Sequence, residues 1–144
     1  MCFNKGKPDL FIGETEGMRF QNFRIFDWLF AWKLIHDEKV KEYTADRRFN
    51  IRQAFEDIFS KCSIVIANNE RIGMIRESNG IISIALLGKF QNEGYGTEAI
   101  KKYSEGRVLT AIIKKDNKRS IKAFYKAGYI LDYYSGGYAR MEKV

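Results

Sequence analysis

Residues 81–97 read I-I-S-I-A-L-L-G-K-F-Q-N-E-G-Y-G-T, an apolar run followed by a polar segment that holds two glycines. The run 81–87 has the composition of a buried strand, and the periodicity of residues 97–105 predicts a helix after the glycines. Glycines at such a junction let free N–H groups approach an anion closely, at the positive end of the helix dipole. The Walker lysine and the third glycine of a dinucleotide motif are missing, so a phosphate cradle and an ordinary turn both stay open.

The chain has the composition of a single globular domain. It holds 144 residues, of which 45% are hydrophobic and 15% aromatic, enough for one core. We predict one domain over residues 1–144, with residues 1–16 as an irregular lead-in. No apolar run approaches the roughly 20 residues that span a bilayer, and the N-terminus lacks the apolar core of a secretory signal. The sequence therefore predicts a cytoplasmic protein with no membrane partner.

The formal net charge of +7 favours an anionic partner, such as a phosphorylated small ligand. The basic residues are spread along the chain, with one cluster at residues 114–119, and they form no long stripe interleaved with aromatic residues. We therefore predict no nucleic-acid partner; a solvated basic surface is the alternative explanation of the charge. Cys2, Cys62 and His36 stand far apart in the sequence, so we predict no metal site.

Outward from the opening stretch, hydrophobic periodicity predicts an alternation of strands and helices. The predicted strands are 17–23, 62–67, 71–77, 81–87, 107–114, 129–134 and 137–143. The predicted helices are 27–36 with Asp27 as N-cap, a short helix within 36–49, 50–60, 97–105, and 117–128 with Asn117 as N-cap. Short Asn/Gly connections indicate an antiparallel meander, whereas the helix between strands 81–87 and 107–114 indicates a parallel crossover. The predicted fold class is α+β, with a mostly antiparallel sheet.

Two motifs, with a strand between them, carry a family resemblance. Q91-N-E-G-Y-G96 precedes strand 107–114, and N117-K-R-S-I-K-A-F-Y-K-A-G-Y129 follows it. This arrangement resembles the GNAT acetyltransferases over residues 17–144, and most specifically over 81–129. The resemblance implies an acetyl-CoA-dependent N-acetyltransferase with the GNAT fold: a twisted sheet of seven strands, helices on both faces and a splayed parallel strand pair.

The resemblance also implies where acetyl-CoA would bind. The backbone of Leu86 and Leu87 would pair with the pantetheine arm, where strand 81–87 splays from strand 107–114. The N–H groups of residues 92–97 would hold the pyrophosphate. The implied cofactor-binding residues are Leu86, Leu87, Gln91, Asn92, Gly94, Tyr95, Gly96, Thr97, Asn117, Ser120 and Phe124.

Tyr125 would, by the resemblance, protonate the departing CoA thiolate. A phenol with a reference pKa of about 10, facing a thiol with a pKa of about 8.5, needs a close and aligned hydrogen bond for that transfer. The alternative for Tyr125 is an inward-facing core aromatic, four residues after Ile121. Glu77, at the end of strand 71–77, is a candidate general base, and a turn carboxylate is its alternative. His36 and a water molecule are further candidates for the base.

Residues 27–41 carry a second resemblance, which concerns the amine that would accept the acetyl group. They resemble a Trp-containing region of GNATs that acetylate nucleotide-linked amino-sugars, and a related region of those that acetylate ribosomal-protein N-termini. Trp32, with Lys33, Lys39, Lys41, Arg47 or Arg48 nearby, would bind a nucleotide diphosphate by stacking and charge; a tryptophan packed under charged residues is the alternative. The implied acceptor is a small-molecule amine, such as an amino-sugar or a nucleotide-linked amino-sugar, with a protein N-terminus as the alternative.

Two departures from the family pattern keep a non-catalytic CoA-binding module open. Glu93 stands where a basic residue is usual, so it would weaken pyrophosphate binding unless it points outward; Lys89 or the cluster 114–119 would compensate. Helix 97–105 would span only about 12–14 Å at 1.5 Å per residue, which leaves one sheet face less covered. Homodimer packing would cover that face, and a homodimer is therefore a prediction.

Overall fold

The computed structural model describes residues 17–44 and 61–143. The strands of this part are β1 Met18–Asn22, β2 Cys62–Ala67, β3 Glu70–Ser78, β4 Ile81–Leu86, β5 Thr110–Lys114, β6 Tyr129–Ser135 and β7 Tyr138–Lys143. Its helices are α1 Trp28–Ile35, α2 Glu38–Thr44, α3 Tyr95–Tyr103 and α4 Lys118–Lys126, with 3₁₀ turns at Ile25–Asp27 and Gly88–Phe90. The predicted helix 50–60 and the predicted lead-in 1–16 lie outside the described residues.

The strands form one sheet in the order β1-β2-β3-β4-β5-β7-β6. Every neighbouring pair is antiparallel except β4 and β5. Two-residue turns join β2 to β3 and β3 to β4, and their central residues have positive φ: 53° and 64° at Asn68 and Asn69, 53° and 78° at Asn79 and Gly80. Asn and Gly tolerate this left-handed region, so the hairpins follow from the residue types. The predicted seven-stranded, mostly antiparallel sheet is confirmed.

β4 and β5 touch only near their first residues. Their parallel register consists of Ile81 with Thr110 and Ile82 with Ala111. β4 then continues for four residues, through Leu86, past the last pair, while its other edge stays paired with β3. The two strands therefore open into a wedge toward their carboxyl ends, which confirms the predicted splayed pair.

Two cores lie on opposite faces of the sheet, because alternate residues of each strand point to opposite sides. On one face, Ala99 and Ile100 of α3 and Phe124 of α4 pack with residues such as Ile72 and Ile82. On the other face, α1 and α2 pack over Ile64, Ile66 and Leu87. This second core receives no side chain from β5, β6 or β7, so the described helices leave that end of the second face uncovered.

The structure differs from two local predictions about side-chain direction, at Asp27 and at Tyr125. Asp27 takes the predicted N-cap position of α1, but its carboxylate makes no capping hydrogen bond to that helix: it is fully buried, accepts a hydrogen bond from the Arg24 N–H at 2.9 Å and pairs with Arg71 at 2.8 Å. α1 buries Phe30, Ala31 and Leu34 and leaves Leu29 82% exposed. Tyr125 does not face the core: it is 68% exposed, and the neighbouring Phe124 takes the inward position.

No helix in the described ranges is both long enough and apolar enough to cross a membrane.

Candidate functional site

The wedge between β4 and β5 opens into a cavity of about 330 Å³, called here the first cavity. Its wall is made by the end of β4, the loop before α3, the first turns of α3 and one face of α4, with α2 at its edge. The lining residues are Lys39, Val40, Ile84, Ala85, Leu86, Gln91, Asn92, Gly94, Gly96, Thr97, Ile100, Asn117, Arg119, Ser120, Lys122, Ala123 and Lys126. Most of the residues from the two sequence motifs therefore meet here.

Different structural features account for the presence of glycine at the two positions of the loop. Gly94 is the residue before α3 and has φ 86°, a conformation that favours glycine. Gly96 lies inside α3 without a positive φ, and a Cβ added there would find only Leu86 Cδ1, at 3.6 Å. Neither backbone conformation nor packing within the described chain requires glycine at Gly96. A Cβ at this position would fill space in the cavity, which fits a ligand that approaches the backbone closely.

A polar bridge joins the loop to α4 across the cavity. Asn117 caps α4 as predicted, because its side chain accepts a hydrogen bond from the Ser120 N–H at 3.2 Å. Two residues after Asn117, Arg119 donates a hydrogen bond to the Gln91 side chain. The amide nitrogen of Gln91 in turn donates to the Leu86 carbonyl at 2.9 Å. Gln91 thereby links the end of β4 to α4.

The first cavity is strongly cationic. Among the described residues it is lined by Lys39, Arg119, Lys122 and Lys126 and by no Asp or Glu. Glu93 is exposed and does not line it, so the carboxylate in the loop points outward. The cavity can therefore hold an anion of several charges, such as the pyrophosphate of a nucleotide cofactor.

Sequence reasoning missed Lys39 as part of this site. Asp37 accepts hydrogen bonds from the Lys39 N–H at 3.0 Å and the Gly88 N–H at 3.1 Å, which fastens the start of α2 beside β4. This contact joins residues 51 positions apart and has no local signal. Lys122 and Lys126 were also missed, whereas Arg119 belongs to the cluster 114–119 that was expected to compensate for Glu93. Lys89 does not line the cavity and pairs with Glu70 at 3.3 Å.

Three of the predicted cofactor residues are not in the cavity wall. The Leu87 N–H donates to the Ile72 carbonyl at 2.9 Å and its side chain belongs to the second core, so its amide is not free to pair with a ligand. Tyr95 is half-buried with its ring 5.9 Å from that of Phe90. Phe124 is buried in the first core, edge-to-face with Tyr129. The remaining predicted residues line the cavity: Leu86, Gln91, Asn92, Gly94, Gly96, Thr97, Asn117 and Ser120.

The two predicted catalytic residues lie away from the first cavity. Tyr125 is exposed and does not line it. Glu77 is opposite Ile82, at the closed end of the wedge, and its carboxylate pairs with Arg107 at 2.6 Å and accepts a hydrogen bond from Tyr103 at 3.3 Å. Burial raises the pKa of Tyr103, against the lowering effect of its hydrogen bond with Arg107. Neither predicted catalytic residue therefore lines the cavity that holds most of the predicted cofactor-binding residues.

A second cavity lies on the opposite face of the sheet, beside α1. It is also basic and is lined by Arg19, Gln21, Phe30, Lys33, Ile66, Asn69, Glu70, Arg71, Leu87 and Lys89. Leu86 and Leu87 are neighbours in sequence, yet each lines a different cavity. Lys33 lines the second cavity and Lys39 lines the first, although both were expected to lie near Trp32.

The Trp32 and His36 side chains contact each other, and they line neither the first nor the second cavity. Their ring centroids are 3.9 Å apart, and the His36 Nδ1 lies 2.9 Å from the Trp32 carbonyl oxygen. Both side chains are exposed. Over residues 17–44 and 61–143, no group of three or more His, Cys, Asp or Glu side chains is placed to hold a metal ion.

Comparison with known proteins gives a structural match without a sequence match. No family model matches the sequence, and no curated protein sequence matches it. The structure is similar to the aminoglycoside acetyltransferase AAC(6')-Ib in complex with coenzyme A, with a TM-score of 0.73 at 15% identity over 88% of this chain and 94% of that chain. It is similar to a GNAT-family acetyltransferase from Bacillus anthracis, with a TM-score of 0.67 at 20% identity over 87% and 90%. It is also similar to spermidine N-acetyltransferase from Vibrio cholerae in complex with CoA and spermine, with a TM-score of 0.68 at 12% identity over 88% and 95%.

Proposed function

We propose that this chain, whose fold is that of the GNAT acetyltransferases, binds acetyl-CoA in the first cavity and transfers the acetyl group to a primary amine. The observation that carries the proposal is the first cavity itself. It combines a glycine loop at the start of α3, an edge of β4 that is unpaired after β4 separates from β5, and four cationic side chains. No carboxylate lines it among the described residues. These groups fit an extended ligand that has a polar arm and a polyanionic end.

Each part of the cavity would hold a different part of the cofactor. The edge of β4 near Leu86 would pair with the amides of the pantetheine arm in the manner of a strand. The backbone N–H groups of residues 92–97 would bind the pyrophosphate at the positive end of α3. Arg119 lies across the loop and would bind the same phosphates, after exchanging its contact with Gln91 for the ligand.

Bound acetyl-CoA would supply an activated thioester. The neutral amine nitrogen would attack its carbonyl carbon, the C–N bond of the amide would form as the C–S bond breaks, the nitrogen would lose a proton to solvent, and CoA would leave as the thiolate. The wedge would fix this thioester beside β4, so that the main contribution of the chain is proximity and orientation. The acid role of Tyr125 and the base role of Glu77 stay predictions. A thiol has a reference pKa of about 8.5, so solvent can return the proton to the thiolate in an open cavity.

For the acceptor we propose a small-molecule amine, of the amino-sugar or nucleotide-linked amino-sugar class. By their names, two of the similar proteins act on an aminoglycoside and on spermidine, which are amines. The second cavity supports an acceptor that carries phosphate, because Arg19 and Lys33 line it in addition to Arg71 and Lys89, which pair with Asp27 and Glu70. A protein N-terminus and a CoA-binding module without catalysis are the alternatives.

Calorimetric titration with acetyl-CoA, followed by an assay of thiol release, tests the proposal. We expect saturable binding at one site, and release of thiol with one member of a panel that holds an amino-sugar, a nucleotide-linked amino-sugar, a polyamine and a free peptide N-terminus. Gly96→Ala should weaken acetyl-CoA binding by about tenfold, because the added methyl group enters the cradle. Its melting temperature should not fall, since alanine is the better helix former by about 1 kcal/mol.

Glu93→Gln is the matched control for Gly96→Ala, because Glu93 belongs to the same loop but points outward. Its acetyl-CoA affinity should stay within about twofold of the wild-type value. A wild-type protein that neither binds acetyl-CoA nor gains thermal stability from it would overturn the proposal. Binding without thiol release from any amine would favour the non-catalytic module.

We also propose a homodimer, formed through the open edge of β6. Among the described strands β6 lies at one edge of the sheet, and all of its residues after Tyr129 are exposed. Ile130 and Tyr133 point to the face that α1 and α2 leave uncovered, beside a charged group in which Arg140 contacts Asp132 at 3.4 Å and Glu142 at 3.1 Å. A patch that carries both signs of charge suits contact with its own copy. Cytoplasmic location and the lack of a nucleic-acid partner stay predictions.

A further inference from the structure

α4 presents a row of cations to the first cavity. Arg119, Lys122 and Lys126 are spaced by three and four residues and all line the cavity, so they share one face of the helix. Like charges at these spacings destabilise a helix. No carboxylate among the described lining residues offsets them. A polyanionic ligand would therefore relieve repulsion along this helix.

The row extends beyond the phosphate loop. Arg119 contacts Gln91 at the start of the loop, so the first turn of α4 faces the pyrophosphate cradle. Lys126 lies about 10 Å further along the helix axis, at 1.5 Å per residue. Lys122 and Lys126 are separated by one turn, which places their Cβ atoms about 5–6 Å apart. Two flexible ammonium groups at this spacing can close around a single phosphate that is separate from the pyrophosphate.

We propose that Lys122 and Lys126 bind the ribose 3′-phosphate of the cofactor, so that the cavity selects CoA over 3′-dephospho-CoA. This inference rests on the proposed acetyl-CoA site. A phosphate monoester carries close to two negative charges at pH 7, and each ammonium group donates a charge-assisted hydrogen bond to it. Both lysines are exposed, so their contribution should decrease as salt rises.

The test compares the affinities of CoA and 3′-dephospho-CoA by calorimetry. The wild-type protein should bind 3′-dephospho-CoA at least about tenfold more weakly than CoA. The double variant Lys122→Ala/Lys126→Ala should lose about tenfold in CoA affinity, yet bind 3′-dephospho-CoA within about twofold of the wild type. The variant therefore removes the preference for the 3′-phosphate without removing the pyrophosphate site.

The control is Lys101→Ala/Lys118→Ala, which makes the same change in net charge at two exposed lysines of α3 and α4 that do not line the cavity. It should keep the full preference for CoA. Equal wild-type affinity for the two ligands, or equal loss of both in the cavity variant, would overturn the 3′-phosphate assignment and leave the acetyl-CoA site intact. Absence of binding by either ligand to the wild type would overturn both proposals.

Discussion

The predicted role of Tyr125 depends on the direction in which its side chain points from α4. The aromatic pair Phe124–Tyr125 gives the sequence no basis for choosing which ring faces inward. In the structure Phe124 faces inward, 4.9 Å from the Tyr129 ring, and Tyr125 is exposed. Tyr125 does not line the first cavity, in which the thioester would be held.

We therefore expect Tyr125→Phe to keep kcat/KM within about threefold of the wild type, with CoA affinity unchanged. The measurement is thiol release with the best amine, from pH 6 to pH 10. A positioned general acid contributes about 100-fold or more. A loss of that size, with CoA binding intact and a changed high-pH limb, would instead restore the acid role.

Individual site residues could be predicted from the sequence where the contacts that place them are local. Gln91, Gly94 and Gly96 reach the cavity because one short loop carries them, and Asn117 caps α4 through a contact within three residues. Lys39 reaches it only through the contact of Asp37 with Gly88, which depends on the tertiary fold. Such long-range contacts leave no periodic signal in the chain.

β3 and β4 approach each other closely at Gly73. A Cβ added at Gly73 would overlap the Ala85 carbonyl oxygen and lie 2.6 Å from Leu86 Cδ2 and 3.0 Å from Leu86 Cα. Because two of these three atoms are backbone, a flexible side chain cannot absorb the overlap. β4 would have to move, and with it the wall of the first cavity.

Gly73→Ala should lower the free energy of unfolding by about 1–3 kcal/mol, as overpacked cores do, and should also weaken acetyl-CoA binding. Chemical denaturation and calorimetry measure the two effects. Gly96→Ala is the paired control, since it is expected to lose binding without losing stability. A Gly73→Ala protein of unchanged stability and affinity would contradict the assigned role of this contact.

The elements themselves were largely predictable, whereas their exact bounds and buried faces were less so. The Asn-rich turns marked both hairpins, and the run at residues 81–87 marked β4. Helix 97–105 begins two residues earlier, at Tyr95, because Gly94 turns the chain directly into α3. The exposure of α1 could not be read from its sequence, since an all-apolar helix gives no preferred face.

Within the described residues, the helices cover the second face of the sheet unequally. Of the described helices, α1 and α2 pack there over β2 to β4 and none packs over β5, β7 and β6, so among these residues the less covered region lies at that end rather than beside the short helix α3. The edge of β6 carries a bulge between Leu131 and Tyr133 and a single charged residue, Asp132. A bulge and a charge both oppose pairing of the strand edge itself, so the exposed side chains of β6 rather than its backbone would carry a contact with another copy.

We expect the wild-type protein to form dimers, and Ile130→Lys, at a side chain that is 50% exposed, to shift it toward monomer without changing acetyl-CoA affinity. Sedimentation velocity across a range of concentrations measures the shift. Leu29→Lys is the control, because it adds the same charge to an exposed apolar residue of α1. If Leu29→Lys dissociates the dimer and Ile130→Lys does not, the interface lies at α1 instead. A wild-type protein that is monomeric at all concentrations would contradict the proposed dimer.

If acetyl-CoA binds in the wedge between β4 and β5 as proposed, the free energy of unfolding of the chain depends on the acetyl-CoA concentration. A ligand that lies along β4 would act as an extra strand, and the unfolded chain has no such binding place. Linkage then stabilises the fold by about 2.7 kcal/mol when the free ligand exceeds its dissociation constant a hundredfold. The lifetime of the protein in a cell would therefore follow the supply of acetyl-CoA, because starvation would lower the resistance of the chain to unfolding and proteolysis.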